Sequence, residues 1–248
     1  MITRRGFVAA GASGLLLGGC DRLNNSPAFR GVLRSAETLT MNTQRLVVPR
    51  DALAREYREA DMSPIFRSNG TSNPGTPEYL RHLAENFVNW RLVVDGLVAR
   101  PLSIPLATLR SIPHRIQITR HDCVEGWSAI GKWHGLELSR LLDAAGLSTR
   151  AKYIVFHCAD RFGDKPYYES IDLIDAFHPQ TIIAWGMNGH LLTVAHGAPL
   201  RLRVERQLGY KSAKYVQRIE AVESLAHIYG SRGGYWEDNA DYEWYAGI

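Results

Sequence analysis

Short apolar runs separated by turn residues recur along most of the chain, and one of them, Arg115-Ile116-Gln117-Ile118-Thr119, alternates strictly. Alternation sends successive side chains to opposite faces, so it predicts a strand. Runs rich in β-branched and aromatic residues extend the predicted strands to 92–98, 115–119, 153–157, 181–185, 200–204 and 215–222. A helical period covers 136–145, with Gly146 placed to stop it. Residues 50–60 also read as helical, up to Ser63-Pro64. Thr76-Pro77-Glu78 reads as a helix start, a capping residue followed by Pro at the first position. Between them, PIFRSNGTSNPGTP over 64–77 is loop by composition, and loops carry binding and catalytic residues. Strands outnumber helices and do not alternate with them. That predicts an α+β fold with mixed β-sheets and few helices, rather than a doubly wound sheet.

The first twenty residues stand apart. MITRRGFVAAGASGLLLGGC has a basic start at Arg4 and Arg5, an apolar run of small residues, and a cysteine. This reads as a signal peptide over 1–19, outside the fold. Thr3-Arg4-Arg5-Gly6-Phe7 resembles a twin-arginine export signal, with Ala9 where a lysine is usual. Leu17-Gly18-Gly19-Cys20 resembles a bacterial lipobox, which implies acylation of Cys20, and Asp21 resembles an inner-membrane retention signal. The expected organisation is a polar, irregular tether over 20–45 and one domain over 46–248. The expected location is the periplasm, lipid-anchored to the inner membrane. Twin-arginine export carries folded proteins and raises the expectation of a complex redox cofactor.

The 248 residues carry a net charge of +4, two of whose positives sit in the leader. No basic run with interleaved aromatics suggests a nucleic-acid partner. No apolar stretch reaches the length of about 18 residues that a spanning helix needs.

Two cysteines remain beyond the leader, and a disulfide between them is one reading. Cys158 ends YIVFHC and reads as a small buried hydrophobe. Cys123 follows a strand and precedes a glycine-containing loop, a good place for a ligand or nucleophile. A thiolate there needs positive charge, from Arg120, a protonated His121 or a metal. Motifs for zinc (CxxC, HExxH), for phosphate (GxGxxG, GxxxxGK) and for a serine nucleophile (GxSxG) do not occur.

HDCVEGWSAIGKWHG, YESIDL, WGMNGHLLTVAHGAPLRLRV and LGYKSAKYVQRI occur in that order. Over about 63–222 this resembles the molybdopterin domain of the sulfite oxidase family, nearest its bacterial methionine sulfoxide reductase branch. The family's C-terminal dimerisation domain and a haem domain have no counterpart here. The resemblance implies a Mo-molybdopterin cofactor with Cys123 as the metal ligand, since a soft thiolate suits a metal already held by dithiolene sulfurs. It implies a phosphate and pterin grip from Arg201, Lys211 and Lys214, with backbone donors at Gly209, Tyr210 and Lys211. His196 matches a pterin contact. Arg67 and Asn69 match an Arg-x-His loop in which Asn stands for His, and Asp160 matches an aspartate near the pterin. Arg203 reads as an exposed strand residue.

True sulfite oxidases place an arginine five residues past the cysteine, where this chain has Ser128. With Glu125 nearby, a dianion would be bound less well. Trp127 and Trp133 offer aromatic wall, and Arg67 a polar contact. The expected activity is therefore two-electron oxygen-atom transfer on a small or protein-bound oxo-substrate, in the sulfoxide-reducing direction. Electrons would come from a membrane haem subunit or a cytochrome. Alternatives are sulfite oxidation, or a cofactor-free binding lipoprotein on the same fold. The aromatic, acidic tail over 233–248 is expected to pack across the domain surface, with docking of a redox partner as its functional reading.

Overall fold

The computed structural model describes residues 26–248. The twin-arginine leader, Cys20 and Asp21 lie outside the described residues. The chain divides into two compact units, Met1–Pro49 and Arg50–Ile248.

In the first unit the described residues form a 21-residue helix, α1 (Pro27–Val47). This corrects the irregular tether expected there. Ser26 caps the helix by accepting from the Phe29 amide at 3.5 Å, and Pro27 occupies the first turn, where its missing N–H costs nothing.

The second unit begins with an extended segment, not the helix expected over 50–60. The Tyr57 amide donates to Ile118 O at 2.8 Å, and Glu56 bridges Thr119. Pairing along a strand edge overrode the local helical pattern. The helix α2 (Pro77–Ala84) forms where expected, with Thr76 accepting from the Tyr79 amide at 3.3 Å.

Two five-stranded sheets follow. The first contains β1 (Arg91–Gly96), β2 (Leu102–Pro105), β5 (Tyr153–Phe162), β6 (Lys165–Asp172) and β10 (Val216–Val222), in the order β2-β1-β10-β5-β6. Its β1–β10 pair is parallel and the others antiparallel. The second contains β3 (Arg115–Asp122), β4 (Ser128–Glu137), β7 (Ile182–Met187) and β8 (His190–Leu191) in that order, with β9 (Arg201–Arg203) also on β7. Three short helices intervene, α3 (Leu106–Ser111), α4 (Leu138–Ala145) and α5 (Leu173–Ala176). Gly146 stops α4 as expected, but 136–137 belong to β4. Leu92, Trp133, Leu142, Ile154, Phe156, Ile183, Leu202 and Ile219 join one hydrophobic cluster built from both sheets and α4. The tail carries a final helix, α6 (Tyr235–Ala240), whose Glu237 is fully buried. Fold class is thus α+β with mixed sheets and few helices.

Candidate active site

The β3–β4 connection is a five-residue turn opened by Cys123. The Cys123 amide donates to Trp127 O at 2.9 Å, and the Gly126 amide donates to Cys123 O at 3.0 Å. Gly126 has φ +85°, a left-handed conformation that glycine adopts without steric cost. The turn holds Cys123 at the wall of a cavity of about 280 Å³. Both cysteines are free thiols, so the disulfide reading falls; Cys158 is fully enclosed under β5.

Asn69 Nδ2 donates to Cys123 Sγ at 3.4 Å, so the 64–77 loop reaches the thiol directly. Burial pushes the Cys123 thiol up, against hydrogen bonds from the Glu125 and Val124 amides and from Asn69 that favour the thiolate. Neither cation considered for it serves: Arg120 is exposed and paired with Asp122 at 2.9 Å. His121 is held far below its ordinary value by burial and by Arg203 and Arg201. The thiol is thus not activated by the protein alone, and it fits a soft ligand to a metal that would bring its own positive charge.

The rest of the wall suits a polar, anionic cofactor. Lys214 Nζ donates to Asn69 O at 2.7 Å, to Ala195 O at 2.9 Å and to Thr71 O. Burial and Arg201 pull it down to about 7, while three carbonyls hold the ammonium, the only form with three N–H groups. Asp160 lies opposite in sequence on β5, buried, with Oδ1 unpartnered. Gly209 lines the cavity with backbone and packs against the His121 ring behind it, which a Cβ would meet at 2.4 Å. Arg201 is buried beside the cavity without a carboxylate: its guanidinium donates to His196 O at 3.2 Å and Ser212 O at 3.3 Å, and Nε has no partner. Burial and Arg203 lower it to about 9. A buried cation short of acceptors is what a phosphate would complete.

Of the residues singled out from sequence, Asn69, Cys123, Asp160, Gly209, Tyr210 and Lys214 line this one cavity. Others do not. Lys211 is fully buried, ion-paired to Glu237 at 2.7 Å and to Glu169, and its ammonium is unavailable as a phosphate clamp. Arg67 is exposed and away from the lining. His196 lies one layer out, with Nε2 donating to Phe66 O at 3.1 Å and Nδ1 accepting from Thr193 Oγ1 at 2.8 Å. Trp127 packs on Phe66 and His121 and donates to Glu125 at 3.0 Å. Arg203 is not exposed as expected: it is buried, paired with Glu205 at 2.6 Å, donating to His121 Nδ1 at 2.7 Å and lying 4.3 Å over Trp133. Sequence reasoning missed Thr71, Ser212, Phe162, Tyr167, Trp236 and Tyr242, all of which line the cavity. Only Thr71 and Ser212 carried a signal, being two residues beyond Asn69 and inside Lys-Ser-x-Lys.

Burial pushes the Asp160 carboxyl up to about 6. The native chain therefore binds more protons than the unfolded chain between about pH 4 and pH 6. Its contribution to stability is present below that window and lost as pH rises through 6. Asp160→Asn should remove that loss, so that its stability relative to wild type rises by up to about 3 kcal/mol from pH 4 to pH 7 in denaturant titrations.

A model of the oxidoreductase molybdopterin binding domain matches residues 80–229. The putative protein-methionine-sulfoxide reductase subunit YedZ1 of Azospira oryzae is 42% identical over 159 residues, covering 64% of this chain and 56% of that protein. The protein-methionine-sulfoxide reductase catalytic subunit MsrP of Campylobacter jejuni is 34% identical over 152 residues, 56% of this chain and 51% of that protein. The chain spans about half the length of the curated relatives it matches. Among solved structures, the sulfane dehydrogenase SoxCD from Paracoccus pantotrophus has the same fold, with TM-score 0.51 and 23% identity over 55% of this chain and 39% of that one. Cys123, Asp160, Arg201 and Lys214 fall within the matched residues, and Asn69, Trp236 and Tyr242 lie outside them. By the family match across most of its second unit, the chain belongs to the molybdopterin-binding oxidoreductases of the sulfite oxidase type.

Proposed function

We propose that this oxidoreductase carries out two-electron oxygen-atom transfer, reducing a sulfoxide-type substrate, small or protein-borne, in a cavity at Cys123. The observation that carries this reading is the composition of the wall. Its charged side chains are Lys214, Asp160 and Glu125, with no arginine among the lining residues and five aromatic rings. The cation is committed to three carbonyls, so a dianion such as sulfite finds little to bind, whereas a neutral sulfoxide can set its apolar part on the rings.

Bound molybdopterin would supply the two-electron oxygen-atom chemistry. Cys123 Sγ is the residue to ligate the metal, and Asn69 Nδ2 would orient and stabilise the thiolate. Arg201 and the backbone at Gly209 and Tyr210 would hold the pterin and its phosphate, while Lys214, committed to Asn69 O, Thr71 O and Ala195 O, would fix the loop that faces them. Reduction of a sulfoxide to a sulfide consumes two electrons and two protons and releases water. Asp160, whose carboxyl titrates near 6, can hold one such proton at Oδ1. Electrons would arrive from a membrane haem subunit or a cytochrome, in keeping with the reductase subunit names of both relatives. Steady-state assays decide the direction: kcat/KM for a sulfoxide with a reduced dye should exceed that for sulfite with an artificial acceptor, and the reverse order would overturn the reading.

The periplasmic, lipid-anchored location is part of the same proposal, resting on the leader sequence. Arg4→Lys with Arg5→Lys should strand the protein in the cytoplasm, and Cys20→Ala should abolish acylation of the mature chain. An unmodified Cys20 in mass spectrometry of the wild-type mature protein would remove the anchor.

A further inference from the structure

α1 carries an apolar surface that the chemistry at Cys123 does not use. Successive residues of an α-helix turn by about 100°, so Phe29, Val32, Leu33, Leu39, Leu46 and Val47 fall on one arc of roughly 140°. Val32, Leu39, Leu46 and Val47 are 62%, 68%, 86% and 74% exposed. Arg34, Thr38, Asn42 and Arg45 lie on the opposite side of the helix. The helix sequence holds three arginines against one glutamate, Glu37. Thr40 and Thr43 share this arc, the Thr43 hydroxyl donating to Leu39 O at 2.8 Å, so the stripe is apolar apart from two small hydroxyls. Backed by a basic face, it has the pattern of a helix lying in a membrane interface, drawn there by acyl chains on one side and anionic headgroups on the other. No helix among the described residues is long and apolar enough to cross a membrane.

We propose that α1 lies on an anionic lipid surface, with the Val32–Leu39–Leu46 stripe in the acyl boundary and the arginine face toward headgroups and water. The inference is independent of the proposed chemistry. It gives a role to the position of Cys20, a few residues before the Ser26 cap. With Cys20 acylated, a helix buried in the interface adds a second point of contact with the same bilayer.

Cysteine scanning tests this on the processed protein purified from cells, with the labelling of the wild-type protein subtracted as the background from its own cysteines. Val32→Cys and Leu39→Cys report the stripe; Thr38→Cys and Asn42→Cys report the opposite face. Each variant is mixed with vesicles containing phosphatidylglycerol, or with pure phosphatidylcholine vesicles, and reacted with a membrane-impermeant thiol reagent. On anionic vesicles, positions 32 and 39 should lose about tenfold in reactivity while 38 and 42 keep theirs, and the contrast should weaken on phosphatidylcholine. Near-UV circular dichroism of each variant checks that the second unit is folded. Equal reactivity at all four positions on vesicles would overturn the proposal. Protection of 32 and 39 already present without vesicles would also overturn it, since protein would then cover the stripe.

Discussion

Cys123→Ala and Cys123→Ser should each lower turnover by at least about a thousandfold while the domain stays folded. The side chain closes a turn whose own hydrogen bonds are made by backbone, from the Cys123 amide to Trp127 O and from the Gly126 amide to Cys123 O, and these survive the change. Only a sulfur at the cavity wall is lost, so stability should move by no more than about 1 kcal/mol. Metal analysis per folded chain, read beside kcat, separates loss of the ligand from loss of the cofactor: with the pterin contacts intact, molybdenum should be retained while activity falls. An alanine variant with full activity would remove Cys123 from the chemistry.

Lys211→Ala should destabilise the fold by about 3–5 kcal/mol, the cost of leaving buried carboxylates without their cation. Lys211 lies between Glu237, at 2.7 Å, and Glu169, with all three side chains fully buried. Burial and the nearby Glu237 already push the Glu169 carboxyl well above its ordinary range. Lys211→Ala combined with Glu169→Gln and Glu237→Gln should recover much of the loss, because amides tolerate burial better than unpaired charges. Denaturant unfolding of the single and triple variants checks both. The same pair of variants separates the structural role from the clamp expected at the outset: the triple variant should keep its cofactor content per folded chain. Loss of cofactor in a stable triple variant would return Lys211 to the cofactor site.

Much of this architecture was legible residue by residue. Strict alternation in Arg115–Thr119 locates β3, and Thr76-Pro77 starts α2 through a cap that local chemistry alone dictates. The strand β4 was hidden because Gly131 and Gly135 interrupt its apolar pattern, and β6 because Pro166 opens it. The family resemblance pointed to Cys123, Asp160, Gly209 and Lys214, which the fold gathers from three separate segments into one wall. Charge was the poor guide. Arg201, Arg203, Lys211 and Lys214 look interchangeable along the chain, yet one pairs with Glu205, one with Glu169 and Glu237, one binds three carbonyls and one is left without a carboxylate. Those fates depend on partners distant in sequence. The aromatic lining from Trp236 and Tyr242 gave no periodic signal, since α6 is too short to show one.

That lining closes the cavity from the end of the chain. Trp236 stacks on Tyr242 at 5.8 Å, and Tyr242 meets Tyr210 at 5.0 Å, so one side of the cavity consists of residues synthesised after every other part of its wall. The anchoring bonds are equally late, with Leu208 donating to Ala246 O at 2.9 Å and the Ala246 amide donating to Gln207 at 3.1 Å. Without these residues the cavity would keep its thiol, its lysine and its aspartate, but this side would stand open. A chain carrying Trp236→Ala with Tyr242→Ala, which leaves Glu237 on Lys211, should accordingly release what the cavity binds far faster than the wild-type chain does.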